Sequence, residues 1–201
     1  ECTVHDIGDG VMCLEFTSKS NAIGEGIGRA MDEVVRIAEE GNWKGIVIGN
    51  NGKQFSVGAN LMNVGMLAMQ KQFEPLGQMI DDFQQINMRI RTSKIPVVVA
   101  TQGYVFGGGC EIAMHCDAGI YAAESYIGLV EVGVGLLPGG GGTKEFAVRA
   151  SDEFFEGDVQ SPTLIKYFKT IATAAVSTSA YEAYDLNYLN LSLLISQGKY
   201  W

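Results

Sequence analysis

The sequence predicts a single α/β domain. Strand-like apolar runs alternate with segments of helical periodicity, glycines gather where the two meet, and 201 residues at 47% hydrophobic suffice for one core but hardly for two. Glycine accounts for 26 residues against 4 prolines, so the surplus does not reflect a Pro/Gly-rich disordered composition. Neither a long low-complexity linker nor a strict repeat interrupts the alternation.

Taken in order, residues 11–17 alternate well enough for a strand. Residues 22–39 carry Ile27, Ala30, Met31, Val34, Val35 and Ala38 at helical spacing, and residues 45–48 read as a buried strand. An Asn50-Asn51-Gly52 turn leads into a short extended piece at 54–57, then a Met-rich helix from Asn60 and a second helix over 74–91. Residues 94–100 form the most strand-like segment, with Pro96 near its start, where a missing N–H does least harm. Helix is expected over 109–116, strand over 118–122, a further extended piece over 126–129, and helices over 164–175 and 179–185.

Charge narrows the function classes. Fourteen Lys and Arg against 23 Asp and Glu leave a formal net charge of -9, with no global basic field for a nucleic acid or an anionic membrane; neither partner is expected. The longest apolar run, 95–100, falls far short of the roughly 18 residues of a membrane span, and no charged-then-apolar leader opens the chain, so a cytoplasmic protein is expected. Cys2, Cys13, Cys110 and Cys116 form no CxxC pair and are read as reduced. Because Glu1 rather than Met comes first, the chain is expected to be a piece of something longer.

Several motifs fail on spacing. Gly24-Glu25-Gly26-Ile27-Gly28 places its third glycine one residue early for a dinucleotide loop, and Gly142-Thr143-Lys144 inverts the order a phosphate-binding P-loop requires. Cys110 and His115 lie about 140° apart on a helix, so a metal site with Glu111 and Cys116 is not expected. With only His5 and His115 available, and neither near a nucleophile elbow, acid–base chemistry falls to carboxylates. Two stand out. Glu111 follows Gly107-Gly108-Gly109-Cys110, and Glu131 precedes the glycine run at 139–142 by eight residues, each with apolar neighbours that would raise its pKa toward neutrality.

The segments 55–61, 94–100, 103–117, 128–131 and 137–143 together resemble, in order and spacing, the crotonase (enoyl-CoA hydratase/isomerase) superfamily. Gly107-Gly108-Gly109-Cys110-Glu111 and the downstream Pro138-Gly139-Gly140-Gly141-Gly142 are the specific blocks. Residues 139–145 and 177–183 are most similar to the hydratase domain of bifunctional 3-hydroxyacyl-CoA dehydrogenase/enoyl-CoA hydratases. The resemblance implies a crotonase-like spiral of repeated β-β-α units, a single acyl-CoA-binding domain over 1–201.

It also implies a mechanism. The backbone N–H groups of Ala59 and Gly108 would form an oxyanion hole for an acyl-CoA thioester, Glu111 would activate water, and Glu131 would protonate Cα. Asn60, Leu61 and Met62 would meet the adenine of CoA, with Asn60 replacing the Asp common in the family; Gly107, Pro138 and Gly139 would complete the substrate contacts. Met62, Met66 and Met69 are read either as the lining of an acyl tunnel or as plain helix packing. Two carboxylates favour a hydratase of fatty-acid β-oxidation over an isomerase, which manages with one; a non-catalytic docking domain is the remaining alternative. No metal and no cofactor are expected, CoA being part of the substrate. Family resemblance implies a homo-trimer or hexamer and a covalently linked dehydrogenase domain. Residues 191–200 do not resemble the family, and the chain is expected to lack the family's C-terminal helices.

Overall fold

The computed structural model describes residues 1–189 and the main chain of 193–196. Among these residues one sheet contains, in chain order, β1 (Cys2–Asp6), β2 (Val11–Phe16), β3 (Gly45–Gly49), β4 (Val97–Phe106), β5 (Ala118–Gly128) and β6 (Leu193–Ser196). The β1–β2 hairpin is antiparallel; each later pair is parallel. The helices are α1 (Glu25–Glu40), α2 (Leu61–Met69), α3 (Phe73–Arg91), α4 (Gly108–His115), α5 (Gly142–Asp152), α6 (Ser161–Ala172) and α7 (Ala180–Asp185), with 3-10 turns at Lys19–Asn21 and Glu131–Val134. None is long and apolar enough to cross a membrane.

Parallel neighbours need crossovers, and helices provide them by burying one apolar stripe. In α1 that stripe is Ile27, Met31, Val34, Val35 and Ala38, all nearly inaccessible to water. It joins the core side chains of β2 and β3, Met12, Leu14, Phe16, Ile46 and Ile48. Each such side chain contributes roughly 1.5–3 kcal/mol on burial.

The two long strands bend. β4 and β5 pair in register from Val98 with Ala118 to Thr101 with Tyr121, then slip by two residues so that Gly103 faces Ser125 and Phe106 faces Gly128. Gly103 makes the bend with a φ of 57°, and the Ser125 hydroxyl donates to the Ala122 carbonyl at 2.6 Å across the bulge. Beyond the bend β4 acquires a new parallel neighbour: the Phe55 N–H donates to Gln102 O at 2.8 Å, and the Ser56 N–H to Tyr104 O at 3.0 Å. Strand, bent continuation and helix thus recur three times: β3 with 55–56 before α2 and α3; the halves of β4 before α4; the halves of β5 before the second 3-10 turn and α5. This is the β-β-α spiral in one α/β domain.

Some local expectations are corrected. Residues 118–122 and 126–128 belong to one strand, with the Ser125 hydroxyl bonded to the Ala122 carbonyl where the apolar pattern lapses; Leu129 lies just past its end. Helix starts at Glu25 rather than 22, since Ile23 is extended and bridges Ala59. β1 has no counterpart in the sequence reading: four of its five residues are exposed, so no alternation marks it. Within the unmatched 191–200 tail, 193–196 pairs with β5; the rest lies outside the described residues.

Candidate active site

Two backbone turns meet at the bend of β4. In the first, Ser56 is fully buried; its hydroxyl donates to Asn21 O at 2.7 Å and accepts from the Gly58 N–H at 3.1 Å. Ile23 N–H donates to Gly58 O and Asn60 N–H to Ile23 O, so the bridge uses the peptide groups flanking Ala59 and leaves the Ala59 N–H unbonded among the described residues. In the second turn, Gly107 adopts a φ of 52° and its N–H donates to Gly128 O, which starts α4 at Gly108. As the first residue of that helix, Gly108 has an N–H with no intrahelical partner. The turns touch: a Cβ on Gly58 would lie 3.3 Å from the Gly108 nitrogen, and one on Gly109 would lie 2.8 Å from Ser56 Cβ. Two free amides therefore sit on adjoining turns.

Both carboxylates flank this junction. Glu111, in the first turn of α4, is 2% exposed, and its Oε1 accepts the Gly142 N–H at 2.9 Å. Burial first, and the charge of Glu131 second, push its pKa up to about 7, against the pull of the amides of Gly142, Gly140 and Gly141. Glu131 opens the 3-10 turn after β5; a Cβ on Gly107 would come 3.0 Å from its Oε1, so glycine there lets the carboxyl group approach. Its Oε2 is buried without a hydrogen-bond partner, and burial pushes its pKa up to about 6. Such a pair shares protons near neutrality and titrates as a unit.

The 139–142 run packs tightly against Glu111. A Cβ on Gly140 would collide with Phe83 and with Glu111 Oε2, and one on Gly142 would lie 3.2 Å from Glu111 Oε1. Behind it, the buried His115 ring places Nδ1 2.7 Å from Glu111 O and Nε2 2.8 Å from Lys144 Nζ. The ammonium only donates, so Nε2 accepts and Nδ1–H donates: His115 is neutral, in line with the downward shift that burial imposes. Lys144 also meets the buried Glu145 at 2.6 Å, and Arg91 meets it at 3.1 Å.

Asn60 caps α2, its side chain accepting the Met62 N–H at 3.1 Å, which supplies the role its sequence position left open. Leu61 and Met62 are exposed beside it, as are Met66 and Met69; no residue of α2 is buried, so packing within this chain does not explain these methionines. Pro138 is buried and its carbonyl accepts from Thr143 Oγ1 at 3.4 Å; Gly139 lies next to Ile80. Cys110 and Cys116 are buried core residues, and among the described residues no three His, Cys, Asp or Glu side chains are placed to hold a metal. Phe83, Gln84 and Asn87 of α3 escaped the sequence reading. Their only signal was a break in that helix's apolar stripe at 87.

The model described as enoyl-CoA hydratase/isomerase matches residues 6–155. A protein of Bacillus subtilis (strain 168) named probable 3-hydroxyacyl-CoA dehydrogenase is 44% identical over 184 residues, 92% of this chain and 23% of its own length. The mitochondrial enoyl-CoA hydratase of Pongo abelii is 32% identical over 137 residues, 67% of this chain and 45% of its own. The crystal structure of an enoyl-CoA hydratase from Polaromonas sp. JS666 superimposes with a TM-score of 0.81 at 24% identity, covering 98% of this chain and 71% of that one, a likeness of fold. The chain spans less than half the length of either curated relative.

Proposed function

The chain belongs to the enoyl-CoA hydratase/isomerase family, and from that premise we propose that its site is a hydro-lyase, adding water syn across the 2,3 double bond of a trans-2-enoyl-CoA in fatty-acid β-oxidation. The observation that supports this most is the pair of carboxylates, Glu111 buried and the half-buried Glu131 with its Oε2 out of water and unpartnered, beside two amides unbonded among the described residues.

In this reading the thioester oxygen accepts from the N–H groups of Ala59 and Gly108. These amides are fixed before substrate arrives, so they act on the charge that grows as the thioester turns enolate-like; one such donor is worth ~100 to 1,000-fold in rate. Glu111, as carboxylate, takes a proton from water, whose oxygen bonds to Cβ; Glu131, as acid, delivers its proton to Cα. Burial pushes both groups up toward neutrality, so one proton passes between them at small cost. Gly107, Pro138 and Gly139 line the approach, and the CoA adenine lies along Asn60, Leu61 and Met62. No cofactor is needed, because CoA is part of the substrate.

Three further parts of the proposal concern the longer protein. It is cytoplasmic, and it carries a linked 3-hydroxyacyl-CoA dehydrogenase domain that oxidises the hydration product; the name and length of the Bacillus subtilis relative support the linked domain. It assembles as a homo-trimer or a hexamer.

Hydration of crotonyl-CoA, followed as loss of the conjugated thioester's ultraviolet absorbance and by mass of the product, tests the reading. Glu111→Gln and Glu131→Gln are each expected to lower kcat by at least ~100-fold. A chain that moves double bonds without adding water, and loses this only in Glu131→Gln, is an isomerase. One that binds a dehydrogenase domain without any turnover is a docking module.

A further inference from the structure

Three successive peptide units of the glycine run packed against Glu111, the last of which donates the Gly142 N–H to Glu111 Oε1 at 2.9 Å, are each held at the carbonyl end. Gly139 O accepts from Gln84 Nε2 at 2.6 Å, Gly140 O from Asn87 Nδ2 at 2.8 Å, and Gly141 O from the Glu145 N–H at 2.9 Å. In a planar trans peptide the C=O and the following N–H point in opposite directions, so fixing the oxygen aims the hydrogen. The amides so aimed are those of Gly140, Gly141 and Gly142. The middle clamp is the unusual one. Asn87 is fully buried, and its Oδ1 has no partner among the described residues, an arrangement that costs stability and that a leucine would avoid. The amide cannot be reversed, because Oδ1 would then face the Gly140 carbonyl. Gln84 is exposed, so water can replace it; nothing can replace Asn87.

We propose that Asn87 is a positioning residue for the water-activating carboxylate: by gripping the Gly140 carbonyl it holds the glycine run so that its amides solvate Glu111 in the ionised form. This rests on the hydratase reading for its catalytic consequence, but not for its structural one. The titratable groups acting on Glu111 are Glu131 on the turn after β5, and Cys110 and His115 on α4; behind His115 lie Lys144 and Glu145 of α5, with Arg91 of α3 and Arg149 of α5 on Glu145. Asn87→Leu touches none of their charges.

The test is Asn87→Leu in the full chain, with Asn87→Ala as the second variant should the leucine not fold. Carboxyl-carbon NMR of 13C-glutamate-labelled protein, free of substrate, reads the Glu111 titration. It is expected to move upward by roughly half a unit or more, as lost N–H bonds disfavour the carboxylate. With crotonyl-CoA, kcat is expected to fall ~10-fold or more while KM stays within about twofold, and the alkaline limb of the pH profile, which follows the higher of the two titrations, is expected to move up with the NMR titration. A Glu111 titration unchanged in a folded variant overturns the proposal. Absence of turnover in the unmodified chain instead overturns the hydratase reading and leaves the NMR result to decide the role of Asn87.

Discussion

A carboxyl group that folding carries out of water keeps its proton to higher pH, and at Glu111 and Glu131 this ties activity to stability. Both folded pKa values lie above the usual 4.5, so the stabilising state is the protonated one: its contribution is complete below 4.5 and is lost as pH rises through about 6 and about 7. For Glu111, a rise from 4.5 to about 7 corresponds to ~3 kcal/mol, an upper bound because the pair is coupled. Glu111→Gln keeps an acceptor for the Gly142 N–H and removes the buried charge. Denaturant unfolding is therefore expected to find it more stable than the unmodified chain at pH 8, with the gain shrinking toward pH 5; a loss at pH 8 would count against the burial of an ionised Glu111. The same two values set the rate profile. A site that needs one proton on the pair should show kcat/KM highest between about 6 and 7, falling on both sides.

At the scale of elements, α4 starts where it does because glycine permits three close approaches: a positive φ at 107, the Glu131 carboxyl against 107, and Ser56 against 109. Gly109→Ala would press a Cβ to 2.8 Å from Ser56 Cβ, a backbone-borne clash expected to cost ~1–3 kcal/mol and to displace the Gly108 amide. Equilibrium unfolding with crotonyl-CoA kinetics would show stability and kcat falling together. For α2, Asn60→Ala removes the cap and is expected to cost about 1 kcal/mol, seen as faster amide exchange in residues 61–64. Elements with one wet and one dry face, such as α1, β2 and β3, were legible in the sequence to within a few residues, since burial imprints a period. The antiparallel β1 carries no such imprint, and the middle of β5 loses it at the bulge, where the Ser125 side chain rather than an apolar pattern holds the strand together.

Among the described residues the exposed apolar side chains are grouped. Met62, Met66, Met69 and Phe73 extend along α2 into α3, and Phe155, Leu164, Ile165 and Phe168 lie on and before α6. This supports the proposed self-association. Sedimentation equilibrium is expected to give a mass several times 21.6 kDa, and a species of 21.6 kDa at all concentrations would contradict it.

By itself the sequence determined the α/β class, the glycine junctions and the apolar company of Glu111 and Glu131, because these are local: residue type and short spacing suffice to specify a glycine turn and a carboxyl group among apolar neighbours. Only the tertiary structure decided that Asn87 and Gln84, 53 and 55 residues away from the carbonyls they hold, grip the loop around Glu111. It also decided that Phe83 packs between Gly108 and Gly140. A peptide carbonyl accepts from whichever donor packing brings within 3 Å. That choice is made by how α3 lies across the site, which no period along the chain encodes.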